Sequence, residues 1–130
     1  RMLALDGNTS PYLQNADVRI HAIFRKVAEQ GIAVDPAAPP SVDEPAERAL
    51  AVKLLQYPSV VLAVEQSLEP HRLCTYLFEL ATLFHRFYEA CPVLKAEGPT
   101  RSGRLRLCQL TSDTLRAGFD LLGIQPIDRM

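Results

Sequence analysis

No part of this chain is apolar for long. Its longest strongly apolar run, Val60 to Val64, falls far short of the roughly 20 residues that a bilayer-spanning helix needs. No membrane partner is expected. The first residues, Arg1-Met2-Leu3-Ala4-Leu5-Asp6-Gly7, lack the charged, then apolar, then small-residue order of a secretory leader. They read instead as a start in mid-protein, so the sequence is expected to be a fragment of something longer. Cysteine is scarce and badly spaced for chemistry: Cys74, Cys91 and Cys108 form no C-x-x-C pair, and an odd number argues against a disulfide framework. They are expected to be small apolar fillers in a reducing, cytoplasmic compartment.

Catalytic signatures are missing too. His21, His71 and His85 stand apart from one another, with no H-E-x-x-H and no cysteine at ligand spacing, so no metal site is expected. His71 reads as a polar first-turn residue and His85 as a residue on the solvated side of its helix. The six glycines are scattered as helix stops and turns and build neither a phosphate loop nor a nucleophile elbow. Cys91-Pro92 has no cationic neighbour in sequence to activate a thiol. A stand-alone enzyme is therefore the reading with least support. Finally, there is no excess of positive charge: 14 Lys and Arg face 15 Asp and Glu, a net charge of -1. A nucleic-acid binder usually shows such an excess, and only local clustering on one face can supply it here.

What is present is helical patterning within the length of one compact domain: 130 residues, 48% of them apolar and 22% charged. Ser10 and Pro11 suit a helix start, and Leu13, Ala16, Ile20, Phe24 and Val27 share one side of a helix running to about Glu29, stopped by Gly31. Residues 31–42 form a proline-rich internal linker. Asp43-Glu44-Pro45 opens a second helix to about Tyr57, and Pro58 begins a short third one with Tyr57, Val61, Val64 and Leu68 on one face. Pro70 starts a fourth, with the stripe Leu73, Leu77, Leu80, Phe84, Phe87 and Cys91, ending at Pro92. Ser102 is expected to cap a fifth that reaches Leu122 and stops at Gly123. This last helix is apolar at Leu105, Cys108, Leu115, Phe119 and Leu122 and, opposite, at Leu107, Leu110, Ala117 and Leu121, implying burial between neighbours. The pattern is an all-α, antiparallel bundle of about five helices.

Away from the first helix's core face, Tyr12, Asn15, Arg19 and Lys26 recur at spacings of three, four and seven. An aromatic, an amide and two cations in a ribbon can hold an unstacked base on a ring while the cations meet phosphates. A solvated face with one stray tyrosine is the bland alternative. Arg101, Arg104, Arg106 and Arg116 make a second basic grouping, open to the same two readings.

Several longer segments carry a family likeness. Gly7-Asn8-Thr9-Ser10-Pro11-Tyr12-Leu13-Gln14, followed by Arg19-Ile20, resembles the passage of arginyl-tRNA synthetases from catalytic core into C-terminal helical domain. Leu54-Leu55-Gln56-Tyr57-Pro58, Glu69-Pro70-His71-Arg72-Leu73, Tyr76-Leu77-Phe78-Glu79-Leu80-Ala81 and Phe87 through Leu94 are similar to later parts of that domain, and Leu121 through Met130 to its end. Only the proline-rich linker has no clear counterpart.

The resemblance implies an anticodon-binding domain of the type named after a D-A-L-R pattern. Residues 1–9 would be the junction from a catalytic domain outside this sequence, and residues 10–130 the helical domain. It implies a class I arginine-tRNA ligase as parent, using ATP and magnesium at sites outside the chain, with tRNA(Arg) and the catalytic domain in cis as partners and a monomeric state. By the same resemblance Tyr12, Tyr88 and Met130 are anticodon contacts, and Asn15, on the same ribbon of the first helix, is expected to join them through its amide. Arg19, Lys26 and Arg116 are expected at phosphates. The sequence departs from the family at Asn15, where a second tyrosine is common, and at Asp17, a position usually without negative charge. The alternative is a synthetase-derived helical module that docks a protein and does not bind RNA.

Overall fold

The computed structural model describes residues 9–127. The three-and-four spacing of apolar residues becomes five helices in this span: α1 Thr9–Glu29, α2 Pro45–Leu55, α3 Tyr57–Ser67, α4 His71–Ala90 and α5 Gly98–Leu122. Helices α2 and α3 are separated by Gln56 alone. Leu13, Ala16, Ile20 and Val27 of α1, the whole stripe of α4 and Leu105, Cys108, Leu115 and Phe119 of α5 are buried in one core, with α4 packed against all four other helices. No described helix is long and apolar enough to cross a membrane.

Several details depart from the pattern-based expectation. Helix α5 begins at Gly98, four residues before Ser102, because Pro99 lacks an amide donor and suits a first turn, where that donor would have no partner. In α3 no residue is fully buried, and the residues against the core are Tyr57, Val60 and Val64. Leu68 leaves that face altogether: it is the left-handed cap at φ 57 and is 82% exposed. The second apolar face of α5 is covered at Leu107, but Ala117 and Leu121 are exposed. Burial between neighbours thus holds only for the first part of that helix.

The proline-rich linker is docked, not loose. Ala38 is buried, and a Cβ on Gly103 of α5 would lie 2.6 Å from the Ser41 amide nitrogen and 3.0 Å from the Pro39 carbonyl oxygen. Only a glycine lets the linker backbone come this near. The linker then feeds α2, whose Glu47 reaches back to accept from the Glu44 amide at 2.8 Å, satisfying one orphan donor of the helix start.

Two buried carboxylates join distant elements. Glu47 receives the Arg104 Nε at 2.6 Å, tying α2 to α5. Asp17 of α1 is fully buried and accepts from Ser112 Oγ at 2.6 Å and Arg116 Nε at 2.8 Å, tying α1 to α5, with His21 Nε2 3.5 Å away. An unpaired carboxylate in such a place would cost several kcal/mol, so these arginines are structural partners.

Candidate nucleic-acid interface

Helix α1 and the end of α4 are held side by side by their core stripes, which leaves the opposite rim of each helix to line a shared groove. The chain after α4 closes it: Pro92 cannot continue the helix, and Cys91 and Val93 turn inward as buried anchors. The resulting open cavity of roughly 1090 Å³ is bordered by Tyr12, Asn15, Arg19 and Lys26 on α1, by His85, Tyr88 and Glu89 on α4, and by the segment Pro92 to Lys95.

Five of the seven residues expected at RNA therefore meet in one place: Tyr12, Asn15, Arg19, Lys26 and Tyr88. Their surroundings differ. Tyr88 is 37% exposed, and the Arg19 guanidinium carbon sits 4.8 Å from its ring centroid, a cation–π pair that presents a flat polar surface to the groove. Tyr12 is half-buried, with its ring 4.8 Å from that of Phe78 and 5.5 Å from that of His85. The Thr82 hydroxyl gives its proton to the Phe78 carbonyl at 3.0 Å, so the Tyr12 hydroxyl is the donor in its 3.0 Å bond to Thr82. Tyr12 is thus pinned, offering part of its ring but not a free hydroxyl.

Arg116 does not join them. It stands on α5 with its Nε on Asp17, so its expected place at a phosphate gives way to the buried pair. Asp17 itself does not line the groove, and the departure from the family pattern at this position places no carboxylate among the groove cations. Met130 lies outside the described residues. His85, expected on a solvated side, is half-buried against the rings of Tyr12 and Phe84. Burial holds its imidazole below the ordinary histidine value, the Arg19 charge adds to this and Glu89 opposes it.

Charge in the groove is uneven in a useful way. Arg19, Lys26 and Lys95 face a single carboxylate, Glu89. The ion pairs seen among the described residues, from Lys53–Glu79 and Arg72–Glu69 to the two buried pairs, involve residues that do not line it. Among the described residues the groove cations form no ion pair, and cations of this kind can meet phosphates while aromatic and amide groups beside them meet bases. A donor set of one carboxylate among three cations does not suit magnesium, and among the described residues no His, Cys, Asp or Glu cluster could hold a metal ion. Burial pushes the Cys91 thiol up and the Cys108 thiol to about 12, so neither of these two is poised as a nucleophile.

Lys95, His85 and Glu89 were not picked out by spacing. A usable signal existed for Lys95: Pro92 stops α4 just after Tyr88, so the next residues must turn back beside that ring.

A family model described as the DALR anticodon binding domain matches residues 13–130. The arginine–tRNA ligase of Thermobifida fusca (strain YX) is 55% identical over 134 residues, covering 100% of this chain and 22% of that protein. That of a Prochlorococcus marinus strain is 53% identical over 130 residues, covering 100% and 21%. Among solved structures, the Thermus thermophilus arginyl-tRNA synthetase superposes with a TM-score of 0.81 at 38% identity, over 92% of this chain and 21% of that one. The arginyl-tRNA synthetase from Plasmodium falciparum gives 0.79 at 27%, over 98% and 22%. The chain spans about a fifth of the length of the curated relatives it matches.

Proposed function

Since the chain belongs to the DALR anticodon-binding domain family, we propose that its groove receives the anticodon loop of tRNA(Arg), as the recognition domain of an arginine-tRNA ligase. The observation that carries this reading is the convergence of Tyr12, Asn15, Arg19, Lys26 and Tyr88 on one cavity whose lining holds three cations to one carboxylate. Tyr88, with Arg19 over its ring, is the stacking surface for an unstacked base, and Asn15 offers an amide to a base edge. Tyr12 borders the base with its pinned ring. Arg19 and Lys26 orient the strand through its phosphates, and Met130 is assigned to the same loop by family likeness alone. Family membership favours this reading over the protein-docking module.

The parent activity we infer is attachment of arginine to tRNA(Arg) with ATP and magnesium, in the cytoplasm, by a monomeric protein whose catalytic domain lies in cis. The groove residues contribute binding and orientation to that reaction and no chemical step. Titrating tRNA(Arg) transcripts into the 130-residue chain tests the reading. Binding should be weak, should fall with salt as counterions are released, and should weaken further when anticodon bases are exchanged. Equal affinity for transcripts with altered anticodons would overturn it. Within that test, Tyr88→Leu should cost about 1–3 kcal/mol of binding and Tyr88→Phe much less, because the stacking face and not the hydroxyl is used.

A further inference from the structure

The segment from Pro92 to Lys95 lines the groove together with α1 and α4, and Pro92 is held from outside it. Arg104 of α5 donates through Nη1 to the Pro92 carbonyl at 2.8 Å and through Nε to the buried Glu47 at 2.6 Å. Glu47 is itself held by the Glu44 amide at 2.8 Å, so the anchor runs back to the start of α2. The Arg104 side chain is only 12% exposed, which leaves its fork little freedom to swing away. Lys95, carried at the end of this segment, is exposed and makes no ion pair among the described residues. It lines the groove together with Arg19 and Lys26 of α1.

We propose that Lys95 is a backbone-phosphate contact for the RNA strand in the groove, and that Arg104, by bridging Glu47 to the Pro92 carbonyl, is the positioning residue that holds it there. This rests on the anticodon-loop reading for the identity of the strand. The physical ground is that Lys95 borders the groove from a segment other than α1, so a strand there can meet cations from two elements instead of from one helix. A phosphate contact carries no sequence information, so Lys95 adds affinity without adding discrimination.

The test measures affinity of the 130-residue chain for tRNA(Arg) transcripts over a range of salt, for wild type, Lys95→Gln, Arg104→Lys and the double variant. Lys95→Gln should lower the slope of log affinity against log salt by about 0.7, the share of one phosphate on a single strand, and weaken cognate and altered anticodons by the same factor. Arg104→Lys keeps a cation for Glu47 but cannot fork to Pro92 in the same geometry, so it should reproduce much of that loss. Adding Lys95→Gln to it should then cost less than it costs the wild type, whereas a merely structural Arg104 would give additive losses. An unchanged salt slope in Lys95→Gln overturns the Lys95 assignment, and this exposed variant stays informative even if Arg104→Lys unfolds. A wild type that binds but ignores the anticodon refutes the recognition reading and leaves the Lys95 slope to stand or fall on its own. A wild type that binds no RNA refutes both.

Discussion

Replacing Asp17 by alanine removes the carboxylate that receives two donors from α5, the Ser112 hydroxyl at 2.6 Å and the Arg116 Nε at 2.8 Å. Breaking a fully buried ion pair costs about 3–5 kcal/mol, mostly from the charge left behind. Here the charge that loses its buried carboxylate is Arg116, and its side chain is 35% exposed, so water can solvate part of the guanidinium and the lower end applies, about 3 kcal/mol. For a domain of this size that is a fall in melting temperature of roughly 10 °C. Asp17→Asn should be milder, near ~1 kcal/mol, because the amide oxygen can still accept from Arg116 while its NH2 donates to a rotated Ser112 hydroxyl. Thermal and urea unfolding of both variants gives the ranking wild type, Asn, Ala. The same pair tests the placement of the residue: Asp17 is not among the residues lining the groove, so Asp17→Asn should leave the salt slope of RNA binding unchanged. Wild-type stability in Asp17→Ala, or a steeper slope in Asp17→Asn, would refute this reasoning.

Gly103→Ala should destabilise the fold despite about 1 kcal/mol of improved helix propensity. The new Cβ would meet linker backbone at 2.6 Å, and overpacking of that kind costs about 1–3 kcal/mol; a raised urea midpoint would contradict it. Burial raises the Glu47 carboxyl, yet the Arg104 hydrogen bond, the Glu44 amide and Ser41 together hold it below the ordinary 4.5. A depressed folded pKa means stability that is present above 4.5 and lost as pH falls through the still lower folded value, so Glu47→Gln should flatten the acid limb of a stability–pH curve. His85 is depressed too, by burial first and then Arg19, so the unfolded chain takes its proton sooner and stability falls as pH drops below 6.5. Phosphates in the groove favour the imidazolium; RNA binding should therefore tighten between about pH 7.5 and about pH 6 more in wild type than in His85→Gln, and parallel curves would exclude His85 from the interface.

The stripe of α4 was legible because that helix packs against all four others, so the 3.6-residue period holds there. On α1 it holds at Leu13, Ala16, Ile20 and Val27, but Ile23 is buried and the expected Phe24 only partly so. Where burial is partial the period misleads: in α3 the side against the core includes Val60 and not Leu68, which caps the helix. The same cause explains α5, whose second apolar side is covered only near Leu107. Tyr12, Asn15, Arg19 and Lys26 could be grouped from one helix, and Tyr88 joined them through family likeness. Arg116 shows what spacing cannot reveal, for its partner Asp17 lies 99 residues away and a cation in sequence looks the same whether it is spent or available. The Arg104 bridge to Pro92 and Glu47 was hidden for the same reason, and with it the segment that carries Lys95.

The net charge of -1 and a basic groove are compatible once charges are sorted by place. Asp17 and Glu47 are each buried against an arginine, and such pairs look nearly neutral from outside. At physiological salt a strand in the groove senses charges within a screening length of about 8 Å. The lining of the groove holds three cations and one carboxylate, so the rest of the molecule carries the acidic balance. The total then bears on long-range steering, which a near-neutral protein supplies weakly. On the proposed reading affinity is set inside the groove, by cations that form no ion pair among the described residues. Adding positive charge on a distant face should therefore speed non-specific encounters with RNA without improving discrimination between anticodons.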